Sequence, residues 1–424
     1  MNKTEPGSRQ SSTAARTLGL VADMAAVRHE GGRYVHASFG RIVDRLAGRY
    51  REILLCLPVR NGAPPQTHDY PLGATNVRLV PQPGWRRSVE AIRHPLAIIR
   101  AYSYTCRHAD ALLVRGLCPF VLALYAAARH HRRHVCHWLI GNSLACIRSN
   151  RRAKGIRDYL AMAYAWANRL ETRFGRRLAG GTFLCNGSEL AALYASPRTS
   201  SMVSSTITEE EFFERPDTCT GPVVRILFVG FVRPEKGVEY LLEALSRLHT
   251  DRPWELVIVG PRGEYPDYDA RLDRLAARQH ILEHIRWEGY VPYGPALFEH
   301  FRQADILALP TLSEGTPRVL VEARANSLPL VATRVGGIPD SVRDGKDGLL
   351  VPAKDSTALA QAIDRIIADG ALRQRLIKTG FQSVRALTLD RAVCALVRQL
   401  HPADAASPRS EAKPPVPTRR AGTE

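Results

Sequence analysis

The chain is 424 residues long, with 45% hydrophobic and 24% charged residues. That length is too great for one ordinary hydrophobic core, and the composition is that of a globular protein, so we expect two domains of comparable size. No segment reaches the roughly 20 apolar residues that cross a bilayer, and the N-terminus has no signal-peptide core, which predicts a cytoplasmic protein. The polar ends, residues 1–15 and 403–424, are predicted to be disordered tails.

Positive charge is concentrated in the first half of the chain. The net charge is +18; residues 1–220 hold 31 Lys and Arg against 16 Asp and Glu, whereas the remainder holds 28 against 25. The imbalance favours an anionic partner for the N-terminal half. The chain shows no zinc-finger spacing, helix-turn-helix or aromatic RNA-binding signature, so nucleic acid is not the expected partner. Eight cysteines form no CxxC pair, which argues against a zinc or redox site.

In the first half, short apolar runs alternate with segments of helical period. A strand is predicted at Thr17–Val21, followed by a loop through Gly31 and Gly32 and a helix with Val35, Phe39, Ile42 and Leu46 on one face. The next strand, Glu52–Leu57, is expected to stop at Pro58. Further strands are predicted at Ala111–Val114, His134–Leu139 and Thr182–Cys185.

The pattern restarts after a predicted linker at Thr218–Pro222. Strands are predicted at Val224–Val229, Glu255–Val259, Ile285–Trp287 and Ile306–Leu309, with helices near Val238–Leu248 and Ala270–Arg278. This alternation indicates an α/β protein with two Rossmann-like, doubly wound domains facing a cleft. We expect an N-terminal domain at 16–217, a C-terminal domain at 218–385, and a helix at 386–402 that could cross back to the N-terminal domain.

The densest motif, from Pro310 to Ala323, joins a predicted buried strand to a predicted helix. Thr316 suits the N-cap and Pro317 the first turn. The free N–H groups of that turn would then face an anion, which Gly315 would allow to approach closely. Glu314 and Glu322 could each accept hydrogen bonds from vicinal hydroxyls of a sugar or a ribose. A capped helix start without a ligand is the alternative.

A basic loop follows the first strand of the second half. Gly230 ends that strand, and Arg233 and Lys236 come directly after it. Ligands of open α/β sheets bind beyond the carboxyl ends of the strands. A planar guanidinium and a point charge suit a diphosphate, and they could stabilise the charge on a departing nucleoside diphosphate. A solvated surface pair is the alternative.

A third stretch, Gly336-Gly337-Ile338-Pro339, predicts a loop that closes over the same cleft, or a simple turn. In order and spacing the three motifs resemble those of the retaining glycosyltransferases of family 4 (glycosyl transferases group 1), which have the GT-B fold. Glu314 and Glu322 match the family's paired-glutamate motif, and Arg233 and Lys236 match its basic pair. The resemblance is dense from about Val224 to Pro352 and is only a general layout over the first half.

The resemblance implies a role for each matching residue. Arg233 and Lys236 would bind the diphosphate with the backbone of residues 315–318, Glu322 the ribose, and Glu314 the transferred sugar. Residues 286–291 would frame the nucleobase. The glycine loop after the first strand would approach the donor phosphates. A histidine of the fourth predicted strand, His134–Leu139, would lie near the donor sugar, with a core histidine as the alternative. The predicted catalytic residues are Glu314, Arg233, Lys236 and His137, and the predicted substrate-binding residues are Gly31, Gly32, Gly230, Gly315, Thr316, Pro317, Arg318 and Glu322.

Three places depart from the family's pattern. Thr316 replaces a bulky apolar residue, Arg33 follows the paired glycines in place of a small residue, and residues 204–208 (Ser-Ser-Thr-Ile-Thr) replace a familiar Asn-Gly-Val-Asp run. The departures leave the donor sugar and the acceptor open, but not the reaction class.

The mechanism we expect is front-face substitution with retention, in which the β-phosphate takes the acceptor proton. Because basic residues already serve the diphosphate, we expect no metal and no cofactor, with the nucleotide-diphosphate sugar as substrate. The one Asp-x-Asp sequence, Asp267 to Asp269, is interpreted as structural.

The basic N-terminal half is expected to present the acceptor. Arginines alternate with apolar residues from Trp85 to Arg107, and such a surface could rest on anionic lipid. The basic residues concerned are Arg86, Arg87, Arg93, Arg100 and Arg107, with a second group at Arg148, Arg151, Arg152, Lys154 and Arg157. We therefore expect a lipid-linked glycan acceptor in cell-surface polysaccharide synthesis and a peripheral position at the inner membrane face. The alternatives are a solvated basic face, a phosphorylase or epimerase of related architecture, and a non-catalytic nucleotide-sugar-binding module.

Overall fold

The computed structural model describes residues 15–85, 88–150 and 156–402. The predictions made for the two tails fall almost entirely outside these ranges. Several of the basic residues assigned to a membrane surface also lie outside the described residues, namely Arg86, Arg87, Arg151, Arg152, Lys154 and the side chain of Arg157.

The N-terminal domain is built on a mostly parallel sheet with helices on both faces. Its strands are β1 (Thr17–Ala22), β2 (Ala26–His29), β3 (Gly32–Val35), β4 (Glu52–Asn61), β5 (Tyr70–Pro71), β6 (Val77–Gln82), β7 (Ala111–Arg115), β8 (His134–Leu139), β9 (Thr182–Asn186) and β10 (Thr199–Met202). Among the described residues they form one sheet in the order β10-β9-β8-β7-β1-β4-β2-β3-β5, with β6 also paired to β4. The helices are α1 (Ala37–Ala47), α2 (Pro95–His108), α3 (Val121–His130), α4 (Ser143–Asn150), α5 (Ile156–Ala179) and α6 (Ser188–Leu193).

The C-terminal domain repeats this plan with a wholly parallel sheet. Its strands, in the order β13-β12-β11-β14-β15-β16, are β11 (Val224–Val229), β12 (Trp254–Val259), β13 (Ile285–Gly289), β14 (Ile306–Leu309), β15 (Leu330–Thr333) and β16 (Leu349–Val351). Central strands such as β14 are buried along their whole length, because helices cover both faces of a parallel sheet. The helices are α7 (Val238–Leu245), α8 (Pro266–Arg278), α9 (Pro295–Gln303), α10 (Val319–Ala325), α11 (Ile338–Ser341), α12 (Ser356–Ala368) and α13 (Gly370–Val384). A last helix, α14 (Leu389–Leu400), packs against α1 and β8 of the N-terminal domain.

In each sheet the order of the strands changes direction at the first strand, because the next strand in sequence is added on one side of it and later strands on the other. β1 lies between β4 and β7, and β11 lies between β12 and β14. The helices on the two sides of β1 accordingly fall on opposite faces: α1 and α14 pack on one core and α2 and α3 on the other. At such a switch point the loops after neighbouring strands separate and leave a crevice at their carboxyl ends, where ligands bind. The fold therefore supplies one crevice in each domain.

Three local predictions differ from the structure. β4 does not stop at Pro58 but continues to Asn61: β1 pairs with β4 only up to Cys56 and β2 only from Val59, so Pro58 lies in the gap between the two ladders. The predicted helix start at Thr316 and Pro317 is two residues early, because α10 begins at Val319. The predicted linker is also bound to the C-terminal domain, since the backbone N of Cys219 donates to Asp305 Oδ1 at 2.5 Å.

Candidate functional site

A cleft of about 350 Å³ lies between the domains, at the carboxyl ends of both sheets. Its C-terminal wall comes from the loops after β11 and β14 and from the first turn of α10. Its N-terminal wall comes from the start of α1 and the ends of β7 and β8. Of the residues predicted from the sequence, the cleft is lined by Gly230, Lys236, Glu314, Thr316, Pro317, Arg318 and Glu322.

Lys236 and Glu314 meet at the C-terminal switch point. Lys236 ends a single 3-10 turn after β11, and Glu314 follows the neighbouring strand β14. The Lys236 Nζ donates to Glu314 Oε1, and both side chains are largely shielded from solvent. The two loops are held in register because the backbone N of Leu312 donates to the carbonyl of Glu235 at 2.7 Å. The pair thus offers one cation and one carboxylate, which can separate onto a phosphate and a sugar hydroxyl.

Arg233 lies beside the cleft rather than along its wall. Its Nε donates to Glu264 Oε2 at 2.8 Å, and its guanidinium lies 4.5 Å from the centre of the Phe231 ring. Phe231 itself lines the cleft. For Arg233 to bind a phosphate, the guanidinium has to exchange the exposed Glu264 carboxylate for it, and such surface pairs are weak. Its role in diphosphate binding stays a prediction.

Glu322 is buried in the first turn of α10, with only 6% of its surface exposed. Burial raises the pKa of its carboxyl from 4.5 to about 7; Arg318 opposes this rise in pKa and Glu211 adds to it. Glu211 pairs with Arg41 at 2.8 Å, and the Arg41 guanidinium lies 4.8 Å from the centre of the Tyr293 ring, which also lines the cleft. Glu322 therefore has the environment of a ligand-binding carboxylate rather than that of a solvated helix residue.

Gly315 and the Gly336-Gly337 loop serve packing between segments. A Cβ on Gly315 would lie 2.3 Å from the carbonyl oxygen of Ile140 in the N-terminal domain. Gly336 has φ of 55°, and a Cβ there would meet the carbonyl oxygen of Glu314. The backbone N of Gly337 donates to the carbonyl of Gly315 at 2.8 Å. The loop thus packs against the backbone of Glu314 and Gly315 and is not among the residues that line the cleft, which favours the alternative of a turn over a loop that closes the cleft.

The N-terminal wall contains residues that the sequence motifs did not identify. Arg115 ends β7, and its guanidinium lies 5.2 Å from the Phe39 ring centre and 5.5 Å from that of Trp138. Trp138 Nε1 donates to Asn186 Oδ1 at 2.9 Å. His36, at the N-cap of α1, accepts from the backbone N of Ser38 through its ring Nδ1 at 3.3 Å. The sequence offers one signal for Arg115: it is a charged residue at the end of an apolar run, where a strand end would place it at the edge of the sheet.

The prediction for His137 is not supported by its position. The residue lies inside β8 and is fully buried. Its Nε2 contacts the carbonyl of Gly116 at 2.8 Å and its Nδ1 the hydroxyl of Tyr125 at 2.9 Å, so both ring nitrogens are occupied. Burial lowers its pKa to about 4. His137 is a core histidine, and His36 is the histidine that lines the cleft.

The structure also places Gly31 and Gly32 away from the cleft. They form the turn of the hairpin between β2 and β3, where Gly31 has φ of 78°. They line a separate depression on the N-terminal domain, with a volume of about 900 Å³. These glycines are not among the residues that line the cleft, because the β2–β3 hairpin is inserted between the end of β1 and the start of α1. Their contact with the donor phosphates stays a prediction.

Two further predictions concern the nucleobase and metal ions. Of the segment predicted to frame the base, Tyr290 and Val291 line the cleft, whereas Arg286 pairs with Glu288 outside it. Asp269 is engaged structurally, since its Oδ2 accepts from the backbone N of Gly263 at 2.7 Å. Within the described ranges, no group of three His, Cys, Asp or Glu side chains stands close enough to hold a metal ion.

Comparison with known proteins identifies the C-terminal half. Residues 217–383 match the family model described as glycosyl transferases group 1. A D-inositol 3-phosphate glycosyltransferase of Geodermatophilus obscurus is 35% identical over 181 residues, covering 41% of this chain and 39% of that protein. A protein of the same name from Streptomyces bingchenggensis is 35% identical over 156 residues, covering 35% of this chain and 34% of the other. The chain thus matches about two fifths or less of the length of these relatives.

Solved structures resemble more than nine tenths of the chain. Anabaena Alr3699/HepE in complex with UDP and glucose superposes with a TM-score of 0.67 at 15% identity, covering 91% of this chain and all of that one. Sucrose-phosphate synthase of Thermosynechococcus elongatus superposes with a TM-score of 0.69 at 16% identity, covering 92% of this chain and all of the other. At such identities the likeness establishes the fold. Residues 217–383 of this chain therefore match the group 1 family of glycosyl transferases, and the chain has the two-domain GT-B fold.

Proposed function

We propose that this protein is a glycosyltransferase that moves a sugar from a nucleotide-diphosphate donor to a hydroxyl group of an acceptor, with retention of anomeric configuration. The observation that carries the proposal is the Lys236–Glu314 pair at the C-terminal switch point, with Glu322 in the same cleft. A cation and two carboxylates so arranged match the phosphate, sugar and ribose of one extended ligand. The family match covers this half of the chain.

Each group has a distinct task in the reaction. Lys236, joined by Arg233, binds the diphosphate and stabilises the charge that develops as the glycosidic C–O bond breaks. Glu314 accepts a hydrogen bond from a hydroxyl of the transferred sugar, and Glu322 accepts from the ribose. Stabilisation of this kind is worth about 10²–10³ in rate per donor in a shielded site. The named Anabaena complexes contain UDP and UDP-glucose, which makes uridine donors the first to test.

Retention follows from front-face substitution. The acceptor hydroxyl enters on the side from which the nucleoside diphosphate leaves, the new C–O bond replaces the old one, and the β-phosphate oxygen takes the acceptor proton. The proposed reaction uses no metal ion, because Lys236 and Arg233 already neutralise the charge of the diphosphate. Loss of activity with a chelator, restored by Mn²⁺ or Mg²⁺, would contradict the metal-independent part.

The acceptor is proposed to be a lipid-linked glycan at an anionic membrane surface. The supporting observation is the α5 face, a row of exposed apolar side chains on a helix of 24 residues, formed by Tyr159, Leu160, Trp166, Leu170, Phe174 and Leu178. Arg173 and Arg177 are exposed along the same helix, and α5 contacts α4, which itself contacts the Lys236 turn. Apolar and aromatic residues flanked by arginine favour the interface of an anionic bilayer. No helix in the described part of the chain is long and apolar enough to span a membrane.

A donor screen tests the reaction class. Purified protein is incubated with a panel of nucleotide sugars, and slow hydrolysis is followed by release of the nucleoside diphosphate. We expect one donor to be hydrolysed, and the Glu314→Ala, Lys236→Ala double variant to lose at least 99% of that rate. The matched control is Glu283→Ala, Lys378→Ala, which removes the same charges from exposed positions. Turnover only with free phosphate would indicate a phosphorylase, and conversion of the donor without cleavage would indicate an epimerase.

The NMR signal of the released sugar reports the stereochemistry. Retention predicts that the first anomer to accumulate has the configuration of the donor, before mutarotation. The opposite anomer would contradict the front-face proposal. Binding of a nucleoside diphosphate with no hydrolysis, even with a broad mixture of glycan acceptors, would favour the non-catalytic module.

Liposome sedimentation tests the membrane proposal. We expect binding to vesicles containing phosphatidylglycerol at low salt, weaker binding at high salt, and at least tenfold weaker binding after Trp166→Ser with Phe174→Ser. The control is Leu282→Ser, which changes an exposed leucine of the C-terminal domain. Equal binding of the wild type to neutral and acidic vesicles would refute the membrane proposal. A dimer that is lost in the α5 variant, with no vesicle binding, would assign this face to self-association instead.

A further inference from the structure

A second positive site faces the same cleft from the N-terminal switch point. Arg115 ends β7, Asp23 follows the neighbouring strand β1, and these strands are paired up to Ala22 and Arg115. Arg318, at the N-cap of α10, approaches from the opposite domain, and both arginines line the cleft. This crevice corresponds in topology to the one that holds Lys236 and Glu314, but it does not contain Lys236 and Arg233, the two side chains proposed above to bind the diphosphate.

The Arg115 guanidinium has hydrogen-bonding capacity left unused. Its Nε is buried and has no hydrogen-bond partner among the described residues. Its Nη1 lies 3.8 Å from Asp23 Oδ1, too far for a hydrogen bond, and 3.2 Å from the Met24 sulfur, a weak acceptor. The other Asp23 oxygen accepts from the backbone N of Leu117 at 3.1 Å. The Arg115 guanidinium, which is only 12% exposed, thus lies near two aromatic rings and forms an ion pair with Asp23 but no hydrogen bond to that carboxylate.

Arg318 adds a second positive charge beside that of Arg115. Within the described part of the chain it makes no ion pair within 4.0 Å. Its charge and that of Arg115 act on each other, and both lower the pKa of His36. Burial raises the pKa of the Glu322 carboxyl to about 7, although the charge of Arg318 lowers it. The carboxyl is therefore partly neutral near neutral pH. Arg115 has one carboxylate neighbour, Asp23, at 3.8 Å, and Arg318 is half-buried, so the two guanidinium groups leave a net positive charge that an anion would stabilise.

His36 supplies a neutral donor to the same place. Burial lowers its pKa to about 4, so the ring is uncharged near neutral pH. Its Nδ1 lies 3.3 Å from the backbone N of Ser38 and 2.9 Å from the Ser38 hydroxyl. With Nδ1 as the acceptor of both groups, the ring proton is assigned to Nε2. A neutral imidazole N–H beside two guanidinium groups is a set of donors that suits an oxyanion.

We propose that the N-terminal switch point is a subsite for an oxyanion, a phosphate or carboxylate group carried by the acceptor, with Arg115 as its anchor. The assignment to the acceptor rests on the proposed function, because the donor diphosphate is placed on Lys236 and Arg233 of the other domain. Arg115 can bind such a group through two parallel N–H···O bonds, the geometry that guanidinium and phosphate share. Arg318 closes the subsite from the C-terminal domain, so the anion also joins the two domains. The substrate class is thereby narrowed to acceptors with a negative charge close to the hydroxyl that reacts.

Calorimetric titration of the full chain with inorganic phosphate tests the subsite. The protein is first saturated with the nucleoside diphosphate that the donor screen selects, and phosphate is then added at constant ionic strength. We expect one phosphate to bind beside the nucleotide. The affinity for phosphate should be at least tenfold weaker in Arg115→Met, and the affinity of Arg115→Lys should lie between those of wild type and Arg115→Met. The control is Arg225→Met, an exposed arginine at the opposite end of β11. Unchanged nucleotide affinity in Arg115→Met shows that the cleft has kept its structure.

Two results would overturn the proposal: phosphate displaced by the nucleotide, or phosphate bound equally well by Arg115→Met and wild type. A third comparison locates the anion, using hydrolysis of donors with neutral sugars and with carboxylate sugars. Selective loss of the carboxylate donor in Arg115→Met would assign the anion to the transferred sugar and refute the acceptor assignment. If no nucleotide binds at all, the proposed function fails, and phosphate binding that depends on Arg115 can still be measured alone.

Discussion

Replacing Glu322 by glutamine should make the protein more stable at alkaline pH. The native state holds this carboxyl at a pKa of about 7, against an ordinary value of 4.5, because it is buried. Between these pH values the native state binds more protons than the unfolded chain, so stability falls as pH rises through this window. A rise from 4.5 to about 7 corresponds to about 3 kcal/mol, at about 1.4 kcal/mol per tenfold change in proton affinity. Glutamine keeps the shape and removes the ionisation that causes the penalty.

Urea unfolding at pH 5, 7 and 8.5 measures the effect. The difference between Glu322→Gln and wild type should be small at pH 5 and should grow to as much as about 3 kcal/mol in favour of the variant at pH 8.5. Glu283→Gln, at an exposed position, reports what the same replacement does without burial. The same variant should bind a nucleotide sugar less tightly, since a ribose hydroxyl loses an ionised acceptor. A difference that does not change with pH, or a wild type that is the more stable at pH 8.5, would refute the reasoning.

Three further variants test how the cleft is held. Gly315→Ala should disturb the contact with Ile140, because the added Cβ would lie 2.3 Å from the carbonyl oxygen of Ile140. We expect at least tenfold slower donor hydrolysis, and an unchanged rate would contradict the packing role. Asp340→Ala should lower stability by about 1 kcal/mol, because Asp340 Oδ2 accepts from the backbone N of Ser188 across the domains at 2.6 Å; a melting temperature within half a degree of wild type would count against it. Arg324→Met should lower the free energy of unfolding in urea by about 3–5 kcal/mol, because the buried guanidinium donates to the Ser341 carbonyl at 2.7 Å and lies 3.7 Å from Asp347. A loss below 1 kcal/mol would mean that the methionine packs equally well.

The fold could be predicted from local pattern because parallel strands buried on both faces appear as short apolar runs. The runs from Val224 to Val229 and from Ile306 to Leu309 coincide with β11 and β14. Pro58 misled the prediction because a proline inside a strand is tolerated only where no neighbour needs its N–H, and that depends on which strands pair beside it. Pairing between distant segments is not visible in the local pattern.

The C-terminal half of the site could be predicted because its groups fall in two short motifs, residues 230–236 and 314–322, each of which follows the end of a strand. The N-terminal half could not, since His36, Arg115 and Trp138 come from three separate segments joined only by the sheet order. His137 and Arg115 illustrate the reason. Both are polar residues in apolar runs, but His137 lies inside β8, where its ring is buried, whereas Arg115 ends β7 and reaches the cleft.

A crystal structure of the protein with a bound nucleoside diphosphate tests the central claim most directly. The account predicts the diphosphate within about 3.2 Å of Lys236 Nζ, the ribose hydroxyls against Glu322, and the base beside Tyr290. It also predicts that the Lys236–Glu314 pair opens and that Arg233 leaves Glu264. A nucleotide found in the larger depression beside Gly31 and Gly32, or bound in the cleft with no contact to Lys236 and Glu322, would contradict it.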